Sequence, residues 1–441
     1  MLRLGFLAVN QPRSLRRLCA CRPSVGVALA SVLIGLLGCR PSQLAHGLPQ
    51  NDALKGQIFV LIGTSPDERF DSLARNDAEK RLSILLDTFR GLHPQVRVQV
   101  QTLPASDLGD VLLRRNRAGL SPDLVIVRGS TAVALQQQNL IQPQAYPPGP
   151  LAYLDQGSLH RLRLDDGRFL ALPIGLFPQV ACYNRKRLPS PPTTIQDLLA
   201  PASQARIGLP LQLSGLAWTL GSLGALDSVK AITSGQPPTE TLKQPIAAWL
   251  AWLRSPELQQ RTVFQASQNG LLDQMGAGRL DWIPCHGYDF DRLRHQLGPA
   301  FAVAPLPSGP GGEASPFTIE RVIALGVSSS PNQRRIAKAF VAFSINPVSQ
   351  RALALRSQQE LSVLNNLNLE TSPSPILAAM ITSNRQSNAN RRLNQTIINA
   401  DIRSQGQMQY MLGRFIYGEI EIPKATDAFV ETLRPFSSRL P

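Results

Sequence analysis

The feature that most constrains the fold is an alternation of strand and helix patterns that begins at Gln57. Residues 58–62 form a continuous apolar run, which is typical of a strand buried on both faces. Apolar residues then recur at helical spacing from Leu82 to Phe89, and the valines at 96, 98 and 100 alternate with polar residues as in a second strand. The same order continues with a helix at 106–112, a strand at 124–127 and a helix at 131–138. This βαβαβα order predicts a parallel sheet with helices on both faces.

A second unit of the same kind follows a proline-rich break at 143–150. We expect strands at 169–172 and 179–183 to lead out of the first unit toward Pro189–Pro192. Later patterns predict a strand at 207–209, helices at 215–226 and 244–253, strands at 280–285 and 301–304, and a returning strand at 321–327. Asn346 followed by Pro347 predicts the start of another helix. Because about 400 residues exceed what one hydrophobic core usually holds, we expect two domains.

The N-terminal residues have the composition of an export signal. Five arginines and no acidic residue occur in positions 1–38, and the apolar run 25–37 is shorter than the roughly 20 residues that span a bilayer. We therefore expect this leader to be cleaved. Leu36-Leu37-Gly38-Cys39 resembles the lipobox of bacterial lipoproteins, which implies acylation of Cys39 and anchoring to the membrane through lipid.

Charge and cysteine content exclude some classes of partner and leave one question open. Removal of the leader lowers the formal charge from +15 to about +10, and the remaining basic residues form no long block, so nucleic acid is not an expected partner. The basic surface is compatible with contact to anionic lipid headgroups or with simple solvation. Cys182 and Cys285 remain in an oxidising compartment, where they either form a disulfide or lie buried as two free thiols.

Six segments, in this order, resemble motifs of the family 1 extracellular solute-binding proteins of ABC importers, which include maltose-binding and other sugar-binding proteins. The segments are DTFRGLHPQVRVQV (87–100), AGLSPDLVIV (118–127), DGRFLALPIGLFPQVACYNRKRL (166–188), FAVAPLPSGPGG (301–312), residues 323–350, which end in AFVAFSINPVSQ, and residues 415–429, which contain YGEIEIPKATDAF. The resemblance implies a periplasmic-binding-protein fold: two α/β lobes, each a mainly parallel sheet flanked by helices, with a ligand cleft that closes by hinge motion. It also implies a monomer on the extracytoplasmic face of the cell envelope, with a small solute and ABC importer permease subunits as partners.

These patterns together predict the following organisation of the chain. It comprises a signal peptide (1–38), a lipidated tether (39–56), a first α/β lobe (57–165), a crossing segment (166–190), a second lobe (191–310), a return crossing with first-lobe helices (311–370) and a C-terminal helical region (371–441).

Candidate ligand contacts come from two sources. In open α/β sheets the ligand crevice lies outside the carboxyl ends of the strands, which here selects Thr64, Ser65, Arg128, Gly129 and Ser130, although glycine and serine also serve simply to form turns.

The resemblance adds candidates from the later part of the chain. Gly287 and Tyr288 stand where the family has a stacking aromatic residue, and Trp218 stands where it presents the second-lobe wall. Tyr183 and Glu320 belong to the crossing and returning segments. The alternative roles are core packing for the aromatic residues and a surface ion pair for Glu320.

Arg128 departs from the family pattern, in which an acidic residue often follows the third strand. A guanidinium group there suits a carboxylate or phosphate, so the sequence leaves open a neutral sugar or an anionic solute such as a sugar acid or sugar phosphate.

Motifs for catalysis and metal binding were also sought in the sequence. The chain contains no G-x-S-x-G, H-E-x-x-H or phosphate-loop motif, and its five histidines show no metal-ligand spacing. We therefore predict no enzymatic activity, no metal and no cofactor. A binding fold that serves as a sensor or an envelope assembly factor, without transport, is the alternative function.

Overall fold

The structure is a computed structural model that describes residues 53–64, 69–200, 204–365, 367, 374–390, 393–394, 396–397 and 406–434. The predicted leader, the predicted acylation site Cys39 and the candidate ligand contact Ser65 lie outside the described residues.

Two five-stranded sheets form the framework of the described part of the chain. Their strands are β1 (Gly56–Gly63), β2 (Val96–Leu103), β3 (Leu124–Arg128), β4 (Leu172–Pro178), β5 (Val180–Asn184), β6 (Ile207–Pro210), β7 (Thr262–Gln265), β8 (Trp282–Cys285), β9 (Phe301–Ala304) and β10 (Thr318–Leu325).

Helices surround both sheets. In the first half of the described chain they are α1 (Ser72–Leu92), α2 (Ala105–Arg117), α3 (Gly129–Gln137), α4 (Pro148–Ala152), α5 (Gln156–Leu162), α6 (Ile195–Leu199), α7 (Leu213–Leu216), α8 (Trp218–Ser222) and α9 (Leu226–Thr233). In the second half they are α10 (Glu240–Leu253), α11 (Pro256–Gln259), α12 (Gln268–Gly276), α13 (Phe290–Leu297), α14 (Pro331–Ser344), α15 (Pro347–Ser357), α16 (Pro375–Asn388), α17 (Gln407–Ile416) and α18 (Ile422–Leu433). No helix among the described residues is both long and apolar enough to cross a membrane.

The first sheet has the strand order β2-β1-β3-β10-β4 and is covered on both faces. Ile58 and Val60 of β1 pack in one core cluster with Leu85 of α1, whereas Leu61 packs in a separate cluster with Leu108 of α2. Burial on both faces explains the uninterrupted apolar run in β1.

The second sheet has the order β7-β6-β8-β5-β9. The core around this sheet contains three fully buried tryptophans, Trp282 of β8, Trp218 of α8 and Trp249 of α10, together with apolar residues of α17 and α18. The C-terminal helices therefore complete the second lobe and do not form a separate unit.

The predicted two-lobed α/β fold is confirmed. Each of its sheets is mixed, with both parallel and antiparallel pairs of strands. In the first sheet β1 is parallel to β2 and β3, while β10 is antiparallel to β3 and β4. In the second sheet β6 is parallel to β7 and β8, while β5 is antiparallel to β8 and β9. The parallel pairs arise where a helix carries the chain back across a sheet. Strands β5 and β10 arrive from the opposite lobe, so no such crossover dictates their direction.

The three connections between the lobes run side by side. Gln179 separates β4 from β5 and is buried; its backbone N–H donates to the Phe317 carbonyl (2.6 Å), next to β10. The third connection follows α15, where Leu361 exchanges backbone hydrogen bonds with Leu176 of β4 (2.8 and 3.0 Å). Adjacent, hydrogen-bonded crossings are the arrangement expected of a hinge.

Cys182 and Cys285 form a disulfide that answers the question left open by the sequence. It joins β5, just after the first crossing, to the last residue of β8, and the two cysteines are 103 positions apart. The disulfide thus fixes the start of the loop 286–289 relative to the hinge.

Candidate functional site

A pocket lies where the carboxyl end of β1 leads into α1 and where β7 and β8 lead into α12 and α13. Its lining comes from both lobes: Arg69, Asp71, Leu73, Ala74, Asp77, Asn269, Leu272, Tyr288, Asp289 and Arg292. The lobes meet here, so the cavity measures only about 20 Å³, room for roughly one water molecule. Polar groups from two sheets thus converge at their carboxyl ends, where open α/β sheets bind ligands.

Tyr288 is the predicted site residue that lines this pocket. Its ring stacks on His286 (centroids 5.3 Å apart) and makes an edge contact with Phe177 of β4 (5.7 Å). It is also packed with Ile319 of β10 and is 6% exposed. Tyr288 therefore joins the second lobe to the hinge strands, and a solute would have to share the ring with these neighbours.

Gly287 lies against the third crossing. A Cβ atom at this position would overlap the carbonyl group of Gln359, with the Gln359 Cα only 3.2 Å away. Only glycine allows the 286–289 loop of the second lobe to approach the backbone of the crossing this closely.

A buried ionic cluster surrounds the same crossing. The Glu360 carboxylate is fully buried and accepts a hydrogen bond from Arg321 of β10 (2.7 Å), and Gln359 accepts one from Arg81 of α1 (2.9 Å). Burial raises the pKa of Glu360, and the nearby Arg321 and Arg81 oppose that rise. Gly175 of β4 leaves the space that the Glu360 carboxylate occupies, since a Cβ there would overlap it.

Glu320 belongs to a second buried ion pair, and its contact with a ligand stays a prediction. Both of its oxygens accept hydrogen bonds from Arg161 of α5 (2.8 and 3.0 Å), and the side chain is 6% exposed. Gly129 provides space for the Glu320 side chain, which a Cβ at that position would overlap. The pair is internal to the first lobe and is not a surface ion pair.

The remaining first-lobe candidates lie at the strand ends that the sequence indicated. Thr64 is buried, and its hydroxyl has no hydrogen-bond partner among the described residues. Arg128 is the half-buried last residue of β3, and Gly129 and Ser130 begin α3. None of these four residues lines the described pocket, and their contact with a ligand stays a prediction.

Tyr183 and Trp218 lie in the interior of the second lobe. Tyr183 is buried in β5, where burial raises its pKa. Trp218 is fully buried with its ring centroid 5.8 Å from that of Trp282. These positions suit core packing, the alternative role considered for them, and neither residue lines the described pocket.

Sequence reasoning did not identify the charged residues of α12, α13 and the third crossing. Asp273, Arg292 and Glu360 occupy sequence patterns that fit ordinary solvated positions. Their role in the site depends on contacts with residues far away in the chain, for which the sequence carries no local signal. No cluster of potential metal ligands occurs among the described residues.

Solved structures share this architecture. The maltodextrin-binding protein MalE1 of L. casei BL23, without ligand, has a TM-score of 0.63 at 16% identity and covers 86% of this chain and 99% of its own. The GacH receptor of Streptomyces glaucescens has a TM-score of 0.59 at 14% identity, with coverage of 86% and 99%. The maltose-maltodextrin binding protein of Alicyclobacillus acidocaldarius has a TM-score of 0.58 at 16% identity, with coverage of 86% and 100%. At these identities the likeness establishes the fold.

Sequence comparison identifies the family. No curated protein sequence matches this chain significantly. The profile of the bacterial extracellular solute-binding proteins matches residues 85–372, which span both lobes and all three crossings. The resemblance seen in the sequence is thereby confirmed, and the chain belongs to the bacterial extracellular solute-binding protein family.

Proposed function

We propose that this protein is a lipid-anchored monomer that binds a small polar solute outside the cytoplasmic membrane and delivers it to an ABC importer when its lobes close. The observation that carries the proposal is the pocket between the lobes, to which each lobe contributes ionic side chains at the carboxyl ends of its strands. Membership of the family supports the extracytoplasmic location and the binding role.

The chemistry of the pocket favours a neutral polyhydroxylated solute, a sugar or sugar derivative. Its described lining contains two cationic groups, Arg69 and Arg292, and three carboxylates, Asp71, Asp77 and Asp289. Hydroxyl groups both donate and accept hydrogen bonds, so a sugar can match groups of both signs, whereas the excess of carboxylates in this lining disfavours an anion. Solved structures of the same fold are described as complexes with alpha-D-tagatose and with maltotetraose, which supports the same class.

Arg128 is the residue that would favour an anionic solute instead. It lies at the carboxyl end of β3 but is not among the described residues that line the pocket. A sugar acid or sugar phosphate therefore requires Arg128 to reach the solute in the open or the ligand-bound cleft.

A thermal-shift screen of the purified protein against neutral sugars, sugar acids and sugar phosphates tests the proposal. A true ligand at 100 times its dissociation constant stabilises the folded state by about 2.7 kcal/mol. We expect hits among neutral sugars, and we expect Asp289→Asn to weaken them more than Asp227→Asn, since Asp227 lies on α9 outside the pocket lining. If no compound of the three classes stabilises the protein, the importer proposal loses its support and the sensor or assembly function becomes the better hypothesis.

The lipid anchor rests on the sequence and has a separate test. Replacement of Cys39 by alanine should prevent acylation, so that the protein is released from membranes or stays unprocessed. Unchanged incorporation of labelled fatty acid into Cys39→Ala would contradict the anchor.

A further inference from the structure

Ion pairs connect the two lobes at the first turns of α1, away from the three crossings. The Arg69 side chain of the first lobe contacts the Asp273 carboxylate of α12. The Arg69 backbone N–H also donates to Asn269 Oδ1 (3.0 Å). Further along α1, Lys80 lies 3.8 Å from Asp291 of α13. These contacts hold α1 against the second lobe independently of the hinge.

The charges around Asp273 alternate in sign and form a connected network. Asp273 also contacts Arg292 of its own lobe, and Arg292 lies 3.8 Å from Asp71, the residue that caps the N terminus of α1. The contacts therefore run from Arg69 of the first lobe to Asp273 and Arg292 of the second lobe, and back to Asp71 of the first lobe. Asp273 is the central acceptor, since it receives one guanidinium group from each lobe.

The exposure of these side chains decides how strong the network can be. Arg292 is 15% exposed, while Asp273 and Arg69 are 36% and 47% exposed. An isolated ion pair at such exposure contributes little to the stability of the closed arrangement. Several linked charges contribute more when one of them is shielded from water. The network is also sensitive to salt, because its outer members are screened by ions.

Three of the four network residues, Arg69, Asp71 and Arg292, also line the pocket. A solute cannot enter a cavity of about 20 Å³ unless the lobes separate, and separation breaks the contacts of Arg69 and Asp71 with the second lobe. The ion pairs between the lobes therefore belong to the closed arrangement of the pocket.

We propose that Arg69, Asp273, Arg292 and Asp71 form an electrostatic latch that stabilises the closed arrangement of the lobes. The proposal builds on the proposed function, because a latch matters only if the lobes open to bind. It predicts that neutralising one latch charge lowers the ratio of closed to open molecules by about two- to fivefold at low ionic strength.

The test measures the distance between the lobes without any solute. Spin labels attached to p-acetylphenylalanine at Arg117 of α2 and at Gln260 beyond α11, both exposed, report this distance by pulsed electron resonance and leave the native cysteines intact. Arg69→Gln and Asp273→Asn remove the latch from opposite lobes. Asp227→Asn removes an ion pair of the same kind within α9 (3.5 Å to Lys230) and is the matched control.

At low salt we expect a larger share of the shorter distance in the original protein than in Arg69→Gln or Asp273→Asn, and we expect 1 M NaCl to reduce that share in the original protein. The control should match the original protein. Combining the two latch substitutions should add little to either alone, since they break one interaction. The latch is refuted if Arg69→Gln keeps the original distance distribution at both salt concentrations. This holds whatever Asp273→Asn shows, because that substitution could disturb the second lobe itself. Because the distance measurement uses no solute, that result would refute the latch without contradicting the proposed solute binding, which the thermal-shift screen tests.

Discussion

Replacing Gly287 by alanine is the most direct test of how the lobes meet at the hinge. In the closed structure a Cβ at this position would overlap the Gln359 carbonyl group, and its backbone φ lies outside the left-handed region, so the added methyl group is the only perturbation. Restoring van der Waals contact requires the two backbones to separate by roughly 1–2 Å.

The expected magnitude follows from the rigidity of the neighbours. The obstructing atoms are backbone atoms of the crossing and cannot rotate away as a side chain could. Overpacking of this kind costs about 1–3 kcal/mol, which here falls on the closed arrangement. A cost of that size lowers the ratio of closed to open molecules by roughly 5- to 150-fold.

Small-angle scattering measures the change as a larger radius of gyration, and urea unfolding shows whether the fold itself is weakened. Gly91→Ala is the matched control, because Gly91 lies within α1 and its added Cβ would meet no atom within 4 Å. That control should leave the scattering unchanged and stabilise the protein by about 0.4–1 kcal/mol. Identical scattering and identical unfolding of Gly287→Ala and the original protein would refute the reasoning.

Three further predictions concern stability and ligand class. Replacing Cys182 and Cys285 together by serine should lower the free energy of unfolding by about 2–4 kcal/mol, because the disulfide closes a loop of 103 residues; urea midpoints that do not differ, with or without reductant, would contradict this. Glu360 has a raised pKa, so the folded protein binds its proton more tightly than the unfolded chain, and this group lowers stability as pH rises from about 4.5 through the raised pKa. Glu360→Gln keeps an acceptor for Arg321 and should remove that part of the decline, which urea unfolding between pH 4.5 and 8 measures; equal pH slopes for the two proteins would exclude it. Arg128→Ala should leave the affinity for a neutral sugar within about threefold in calorimetry, and a large loss confined to anionic solutes would instead favour an anionic ligand.

Local sequence patterns predicted much of the fold, because the spacing of apolar residues reflects which faces of a single strand or helix are buried. The alternation from Gln57 to the third strand reappears as β1, α1, β2, α2 and β3 in the first lobe. The predicted helix start at Asn346 is also present, with Asn346 accepting a hydrogen bond from the Ser349 backbone (2.8 Å).

Two local predictions were wrong where tertiary contacts overrode the pattern. The single helix expected at 215–226 is interrupted at Ala217, between α7 and α8, and again at residues 223–225, where Gly224 has a left-handed φ of 79° and packs closely against Gly311. The strand expected at 169–172 lies further on, at Leu172–Pro178, and its two prolines are tolerated because β4 is the edge of the first sheet.

The candidate site was predicted less completely than the fold, and the reason is physical. The carboxyl ends of the strands follow from local order, so Thr64 and Arg128 could be selected from the sequence alone, and Tyr288 could be selected through the family resemblance. The contact of Arg69 with Asp273 joins residues 204 positions apart and depends on how the two lobes pack against each other. Strand and helix periodicity thus determined the two lobes, whereas the disulfide, the buried ion pairs and the pocket between the lobes were decided only by tertiary structure.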